Sequence, residues 1–156
     1  MTGQITDARD FFERLRRLYG ERLPFNRVLG LTVASVDAEG ATMAFDMRDD
    51  LIGNVFHQTL HGGVISAVLD AVGGLTASAG LAERTSGQSD EQIRSILARV
   101  GTIDLRVDYL RPGRGKRFTA SGRIMRAGRK VAVVRMEMHA DEALLVAVGT
   151  GTYMIG

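Results

Sequence analysis

The sequence predicts an α+β domain in which one antiparallel sheet of about six strands wraps around a single long helix. Three observations support this fold class. The predicted elements run helix, two strands, buried helix, short helix and four strands. Consecutive strands are joined by short turns, which favour antiparallel pairing. Residues 64–72 are apolar except for Ser66 and Asp70, and a helix that is apolar on nearly every side must be covered by other elements.

The first element is an appended amphipathic helix, predicted over residues 5–19 with apolar side chains at helical spacing. Thr6 or Asp7 is positioned to cap it, and Gly20 to end it. Two strands follow, at residues 28–37 and 41–48. The residues between them, DAEG, have turn composition. Residues 49–60 read as irregular.

The long helix is expected to end near residues 77–80, and residues 83–92 form a polar loop. Ser89 and Gln92 match a capping box that opens a short helix reaching about Arg99. The last third of the chain is predicted as four strands with turns at Ala127-Gly128 and Asp141-Glu142. Those four strands cover residues 103–110, 117–126, 130–139 and 143–155. In the first of them, alternation places one set of side chains on one face, namely Ile103, Leu105, Val107 and Tyr109.

Length and composition indicate one globular domain over residues 1–156, with the appended helix inside residues 1–22. Hydrophobic residues make up 45% and charged residues 24% of the chain, which argues against disorder. The absence of cysteine excludes disulfides, thiolate catalysis and cysteine-ligated zinc. The sequence contains no run of 18 apolar residues, so no membrane span is predicted. We expect a cytoplasmic protein, since no export signal is visible.

Small or polar residues form a line along the long helix. Gly62, Ser66, Asp70 and Gly74 follow one another at intervals of four and therefore share one face. A lone charge in an apolar helix is costly unless it is partnered or used. The line therefore predicts a face that meets something other than core.

The start of this helix has the features of an oxyanion-binding site. Helix N-termini carry unpaired N–H groups, and Gly62 and Gly63 let a ligand approach them closely. Together with the helix dipole they suit a carbonyl oxygen that gains negative charge. Asp70 lies about 12 Å further along the axis at 1.5 Å per residue. A two-fold dimer would bring Asp70 of one chain to Gly62 of the other.

Each of these residues also has an ordinary structural explanation. Asp70 could bind a neighbouring strand or sit at a dimer seam. Gly62-Gly63 could simply allow close helix packing, and His61 could be an ordinary residue at the N-terminus of the helix. The combination favours a functional site over three separate coincidences.

The motif LHGGVISAVLDAVGG, residues 60–74, resembles the signature of hotdog-fold acyl-CoA thioesterases, with an acidic residue nine positions after the His of His-Gly-Gly. The segment GTIDLRVDYLRP, residues 101–112, is similar to the central strand of that family. The resemblance covers residues 25–155 and implies a sheet wrapped around one helix, acting as a homodimer or a dimer of dimers.

The resemblance also implies a role for each residue of the motif. The Gly62 N–H would polarise the thioester carbonyl, and Asp70 from the neighbouring subunit would be the nucleophile or the general base. His61 would help to position the thioester near its sulfur, and Thr102 would assist water. Many members carry Asn or Gln six residues before the His. Here that position is Val55, so Asn54, His57 and Gln58 compete for one polar role, and Asn54 is our candidate.

Basic residues concentrate in two turns, residues 111–117 and 126–130. They are either solvated hairpins or a phosphate site, since Arg binds phosphate oxygens in bidentate fashion. Because coenzyme A carries phosphates, the resemblance makes these turns candidates for binding it. The candidate residues are Arg111, Arg114, Arg126, Arg129 and Lys130.

The function favoured by the sequence is hydrolysis of an acyl-CoA, with no metal or separate cofactor because coenzyme A is part of the substrate. A medium to long aliphatic acyl group is our expectation. The alternative is a non-catalytic acyl-CoA-binding hotdog module, against which the presence of Asp70 argues. A hotdog dehydratase would need a different His/Asp placement. Nucleic-acid binding is disfavoured by a net charge of only +2 and by basic turns almost without aromatics.

Overall fold

The computed structural model describes residues 7–141 and 143–156 and confirms the predicted fold class. Within these residues a six-stranded sheet, antiparallel at every pairing, has the order β1-β2-β6-β7-β8-β5, and a separate ribbon pairs β3 with β4. The strands are Thr32–Val36 (β1), Gly40–Asp46 (β2), Ile52–Asn54 (β3), Thr59–Leu60 (β4), Gly101–Tyr109 (β5), Arg117–Ala127 (β6), Val131–Ala140 (β7) and Leu144–Met154 (β8).

The long helix packs against the sheet, chiefly on β6, β7 and β2. The helices are Ala8–Arg17 (α1), Pro24–Leu29 (α2), Gly62–Ala79 (α3), Ala82–Thr85 (α4) and Asp90–Leu97 (α5), with a π-helical turn at Leu18–Arg22 and a 3-10 turn at Asp49–Leu51.

The core lies between α3 and the sheet. Val68, Leu69 and Val72 on α3 are fully buried, and burial of each such side chain contributes about 1.5–3 kcal/mol. Across from them, the rings of Phe45 and Phe118 stack with centroids 5.2 Å apart. By length and composition alone α3 could cross a membrane, with a mean hydropathy of 1.4. Because α3 packs against the sheet, the apolar surface of this helix forms part of the protein core.

The N-terminal helix differs from its prediction at the C-terminal end. Residues 5 and 6 lie outside the described part of the chain, and Asp7 caps α1 by accepting hydrogen bonds from the N–H groups of the first turn. Gly20 does not end the helix. The chain continues through the π-helical turn, closed by the Leu23 N–H donating to Leu18 O at 3.1 Å. Asn26 Nδ2 supports this turn by donating to Tyr19 O at 2.9 Å.

The strand predicted for residues 28–37 begins too early. Pro24 occupies the first turn of α2, where its missing N–H has no cost. Gly30 ends that helix with a φ of 71°, a left-handed conformation that glycine adopts without strain. Residues 28 and 29 are therefore helical, and β1 starts only at Thr32.

Two segments predicted as irregular contain short elements. Residues 49–60 hold the 3-10 turn and the β3–β4 ribbon, and the polar loop at 83–92 begins with part of α4. Both are too short to show hydrophobic periodicity. The capping box is confirmed: the Ser89 side chain accepts from Gln92 N–H, and the Gln92 side chain accepts from Ser89 N–H.

Strand β5 lies at the edge of the sheet, beside β8 rather than in the centre. Its register shifts between Thr102 and Asp104, which pair with Tyr153 and Thr152. The extra residue, Ile103, is 53% exposed. Alternation predicted that Ile103 lies on the same face as Leu105, but the extra residue breaks the alternation, and Ile103 does not share the helix-facing side with Leu105. A bulge of this kind re-aims side chains, and here it turns Thr102 towards α3.

Candidate active site

Asp70 lies at the middle of α3 and is held by two hydroxyl groups. Thr102 Oγ1 donates to Asp70 Oδ1 at 2.9 Å. Tyr153 Oη donates to the same oxygen at 3.3 Å and to the main-chain oxygen of Asp70 at 3.4 Å. Because both donors bind Oδ1, the second carboxylate oxygen has no partner among the described residues.

The half-buried Tyr19 and the buried Tyr153, both near Asp70, keep their protons. Burial raises the pKa of Tyr153 far above its ordinary value, and the charge of Asp70 and the hydrogen bond to it raise that pKa further. Burial and the same charge raise the pKa of Tyr19, against the lowering effect of its hydrogen bond to Ser78. Both phenols are therefore neutral hydrogen-bond donors at any ordinary pH.

Three of the four residues in the line of small or polar residues on α3 face a cavity rather than the core. Ser66, Asp70 and Gly74 line one wall of a space of about 530 Å³. The opposite walls come from the region between the π-helical turn and α2 and from the start of β5. The cavity is mostly apolar apart from Asp70 and the hydroxyl groups beside it. Thr102, although bonded to Asp70, is exposed in the single chain.

The first turn of α3 keeps one N–H group free. His61 is the N-cap residue, and its Nδ1 accepts from Gly63 N–H at 2.8 Å. The N–H groups of Val64 and Ile65 donate to His61 O. Gly62 N–H, the remaining donor of the turn, has no acceptor among the residues that the structure describes. It therefore combines an unused hydrogen bond with the positive end of the helix dipole.

Tyr109, at the end of β5, closes one side of this helix start. Its hydroxyl donates to Gly62 O at 3.1 Å, and its ring would lie 3.4 Å from a Cβ atom placed on Gly62. A second cavity of about 330 Å³ borders Gly62 and Tyr109 and includes Arg111. The single chain thus places Gly62 at one cavity and Asp70 at another.

The two basic turns lie at opposite ends of the sheet. The turn at 111–117 follows β5 at the end that holds Gly62, and Arg111 donates from Nη1 to Leu145 O at 2.9 Å. The turn at 126–130 joins β6 to β7 beside Tyr153 and Thr102. Since β6 spans about 33 Å at about 3.3 Å per residue, one chain cannot place both turns at one phosphate group.

The polar residues before the motif form a local turn. Asn54 Oδ1 accepts from the N–H groups of Phe56 at 3.0 Å and His57 at 3.2 Å. Gln58, with a φ of 51°, donates from Nε2 to Val55 O. All of them are exposed. Asn54 thus shapes the loop next to His61, and its role in the site stays a prediction.

Three features of the site were missed from the sequence. Tyr153 and Tyr19 lie in strand and helix patterns that looked structural, and no spacing links them to Asp70. Arg84 donates to Gly128 O at 2.6 Å and Arg129 O at 2.8 Å, and so fixes the second basic turn.

Among the described residues no group of three or more His, Asp or Glu could hold a metal ion.

The fold and the motif define a class of enzyme, and comparison with known proteins agrees. Residues 57–147 match the model of the Thioesterase superfamily. The chain is 46% identical over 148 residues to the medium/long-chain acyl-CoA thioesterase YigI of Escherichia coli, covering 92% of this chain and 96% of that protein. YigI of Salmonella typhimurium is 45% identical over 148 residues, with the same coverage of the two chains.

A solved structure from Shewanella oneidensis, described as related to the thioesterase superfamily, is 46% identical with a TM-score of 0.90. The match covers 96% of this chain and 97% of that one. The protein belongs to the thioesterase superfamily, and it is a thioester hydrolase with the hotdog fold.

Proposed function

We propose that the protein hydrolyses acyl-CoA thioesters at a site made by two chains, with Asp70 from one and the Gly62 N–H from the other. The observation that carries this proposal is the pair of half-sites: a carboxylate with one unpartnered oxygen and a helix start with one unpartnered N–H. The name of the Escherichia coli relative supplies the substrate class.

The chemistry follows from these two groups. Asp70 as general base takes a proton from water, whose oxygen attacks the thioester carbonyl, and the Gly62 N–H stabilises the oxyanion that forms. Collapse of the tetrahedral intermediate breaks the C–S bond and releases the coenzyme A thiolate, which takes up a proton. If Asp70 is instead the nucleophile, its carboxylate attacks the thioester carbonyl, the C–S bond breaks to release the coenzyme A thiolate, and water then cleaves the acyl-Asp70 anhydride to the free acid and Asp70.

The edge position of β5 supports the dimer. Its nine residues leave one row of main-chain groups open at the sheet edge, which is a template for pairing with another strand. If two β5 strands pair antiparallel about a two-fold axis at Arg106, the bulge at Thr102 and Ile103 lies opposite Tyr109 of the partner subunit. Because Thr102 contacts Asp70 and Tyr109 contacts Gly62, this register brings the two half-sites together.

The same pairing gives the basic turns a shared role. It places the turn at 126–130 of one chain at the end where the partner's turn at 111–117 lies. Coenzyme A phosphates would then be bound by Arg111 and Arg114 from one subunit with Arg126, Arg129 and Lys130 from the other. Arg84 supports this role because it fixes the backbone of the second turn without using those side chains.

The 530 Å³ cavity beside Asp70 is the proposed acyl pocket. Its lining is mostly apolar, which suits an aliphatic chain and agrees with the name of the relative.

The test is a panel of acyl-CoA substrates of increasing chain length, followed by release of free thiol, with Asp70→Asn beside the wild type. We expect turnover of medium to long chains by the wild type and a loss of at least about 100-fold in Asp70→Asn. Asp50→Asn, an exposed change of the same kind, controls for charge. Full activity in Asp70→Asn would exclude the proposed mechanism, and turnover of none of the acyl-CoA substrates would exclude the substrate class.

A further inference from the structure

Tyr153 lies near the end of β8 with its hydroxyl against Asp70. Its side chain is 1% exposed, and Oη is 3.3 Å from Asp70 Oδ1 and 3.4 Å from Asp70 O. Both distances are longer than the usual O–H···O length of about 2.7–2.8 Å, as expected when one proton is shared between two acceptors. Catalytic hydrogen bonds are often long before substrate binds.

Two glycines make room for this ring. A Cβ atom on Gly73 of α3 would lie 2.0 Å from Tyr153 Oη, and one on Gly151 of β8 would lie 2.7 Å from the same atom. Real Cβ atoms essentially never come so close, so any side chain at either position would move the hydroxyl. Glycine within a helix costs about 1 kcal/mol relative to alanine. Gly73 in α3 therefore lowers the stability of the helix, and the notch formed by Gly73 and Gly151 provides the space for the Tyr153 hydroxyl.

We propose that Tyr153 is a positioning residue that acts through Asp70. Its hydroxyl and that of Thr102 fix Asp70 Oδ1, so that the other carboxylate oxygen faces the substrate in one orientation. This inference rests on the role of Asp70 given under the proposed function. It adds a residue 83 positions away in sequence, together with the glycine notch that holds it.

The test compares Tyr153→Phe with the wild type in thiol-release assays over a range of acyl-CoA concentrations. Phe keeps the ring in the notch and removes only the hydroxyl. A hydrogen bond to a charged group is worth about 1.5–3 kcal/mol, so we expect kcat to fall about 10- to 100-fold. We expect KM within about two-fold of the wild type because packing is retained, and a melting temperature lower by about 3–12 °C because the same hydrogen bond also stabilises the folded chain.

The matched control is Thr76→Val, which removes a different buried hydroxyl, located on α3. Thr76 Oγ1 binds Val72 O at 2.8 Å and does not touch Asp70. This variant should retain wild-type kcat.

Wild-type kcat in Tyr153→Phe would overturn the inference, and so would a loss that Thr76→Val shares. A rise in KM that matches the fall in kcat would also overturn it, since that pattern indicates a general packing role. Asp70→Asn, assayed in parallel, separates this inference from the proposed function. If Asp70→Asn is inactive while Tyr153→Phe is fully active, only the inference about Tyr153 fails. If Asp70→Asn is fully active, the proposed mechanism itself fails.

Discussion

The Gly62 N–H can be deleted with little disturbance of the fold. Gly62 is the first residue of α3, the position where proline is favoured because the N–H has no partner within the helix. His61 before it has φ −62° and ψ 134°, which is the conformation that a following proline requires. Gly62→Pro therefore removes one donor while the helix start keeps its shape.

The expected loss is large because no other N–H of the turn can replace this one. The groups of Gly63, Val64 and Ile65 are already bound to His61. Loss of a single oxyanion donor lowers kcat about 100- to 1,000-fold, or about 2.7–4 kcal/mol. We expect that loss in Gly62→Pro, measured as thiol release from a medium-chain acyl-CoA.

Gly62→Ala is the matched control. It adds a Cβ atom that meets Tyr109 at 3.4 Å, an ordinary contact, and it keeps the N–H. We expect kcat of this variant within about five-fold of the wild type, well short of the loss of an oxyanion donor. Equal activity of the two variants would refute the oxyanion role of Gly62, provided that circular dichroism shows both folded.

Three further predictions concern the same region. His61→Asn retains an N-cap side chain, so its melting temperature should stay near that of the wild type while activity falls; unchanged activity would limit His61 to capping. Ala71→Phe, in the wall of the acyl cavity, should move the preferred acyl-CoA to shorter chains, and an unaltered chain-length profile would place the acyl group elsewhere. Burial and the charge of Asp70 raise the pKa of Tyr19 and Tyr153 above the ordinary value of 10.0. The folded state thus holds these protons while the unfolded chain loses them, so the free energy of unfolding should fall as pH rises above about 10, by up to about 1.4 kcal/mol per pH unit for each group. Urea unfolding at pH 9 and 11 measures this slope, and a smaller loss is expected for Tyr153→Phe.

The fold was predictable because its main elements have strong periodic signals. The apolar run of α3 and the alternation in β2 and in the last strands are long enough to define their structure. The start of β1 was misplaced because the Pro24 and Gly30 signals for α2 are local and were outweighed by a Val-rich composition. The elements at 49–60 are only two or three residues long, too short for a periodic pattern to repeat.

Spacing alone relates residues of the candidate site only where they are close in sequence, and Thr102 was named from the family resemblance. Gly62 and Asp70 belong to one helix, so spacing related them. Thr102 faces Asp70 because of the bulge at Ile103, which simple alternation does not reveal. Tyr153 reaches Asp70 from β8, 83 positions further along the chain, and the only local signal is the pair of glycines that make room for it.

The central claim is that each active site takes Asp70 from one chain and Gly62 from the other. Two variants that are inactive alone, Asp70→Asn and Gly62→Pro, test it when they are unfolded together and refolded as an equal mixture. In a mixed dimer one site carries both changes and the other carries neither.

The measurement is thiol release by this mixture. Random pairing makes about half of the dimers mixed, each with one intact site of two, so the two-chain site predicts recovery of about one quarter of wild-type activity. If Asp70 and Gly62 act within one chain, every chain carries a lesion and the mixture should remain as inactive as its components. That result would contradict the account.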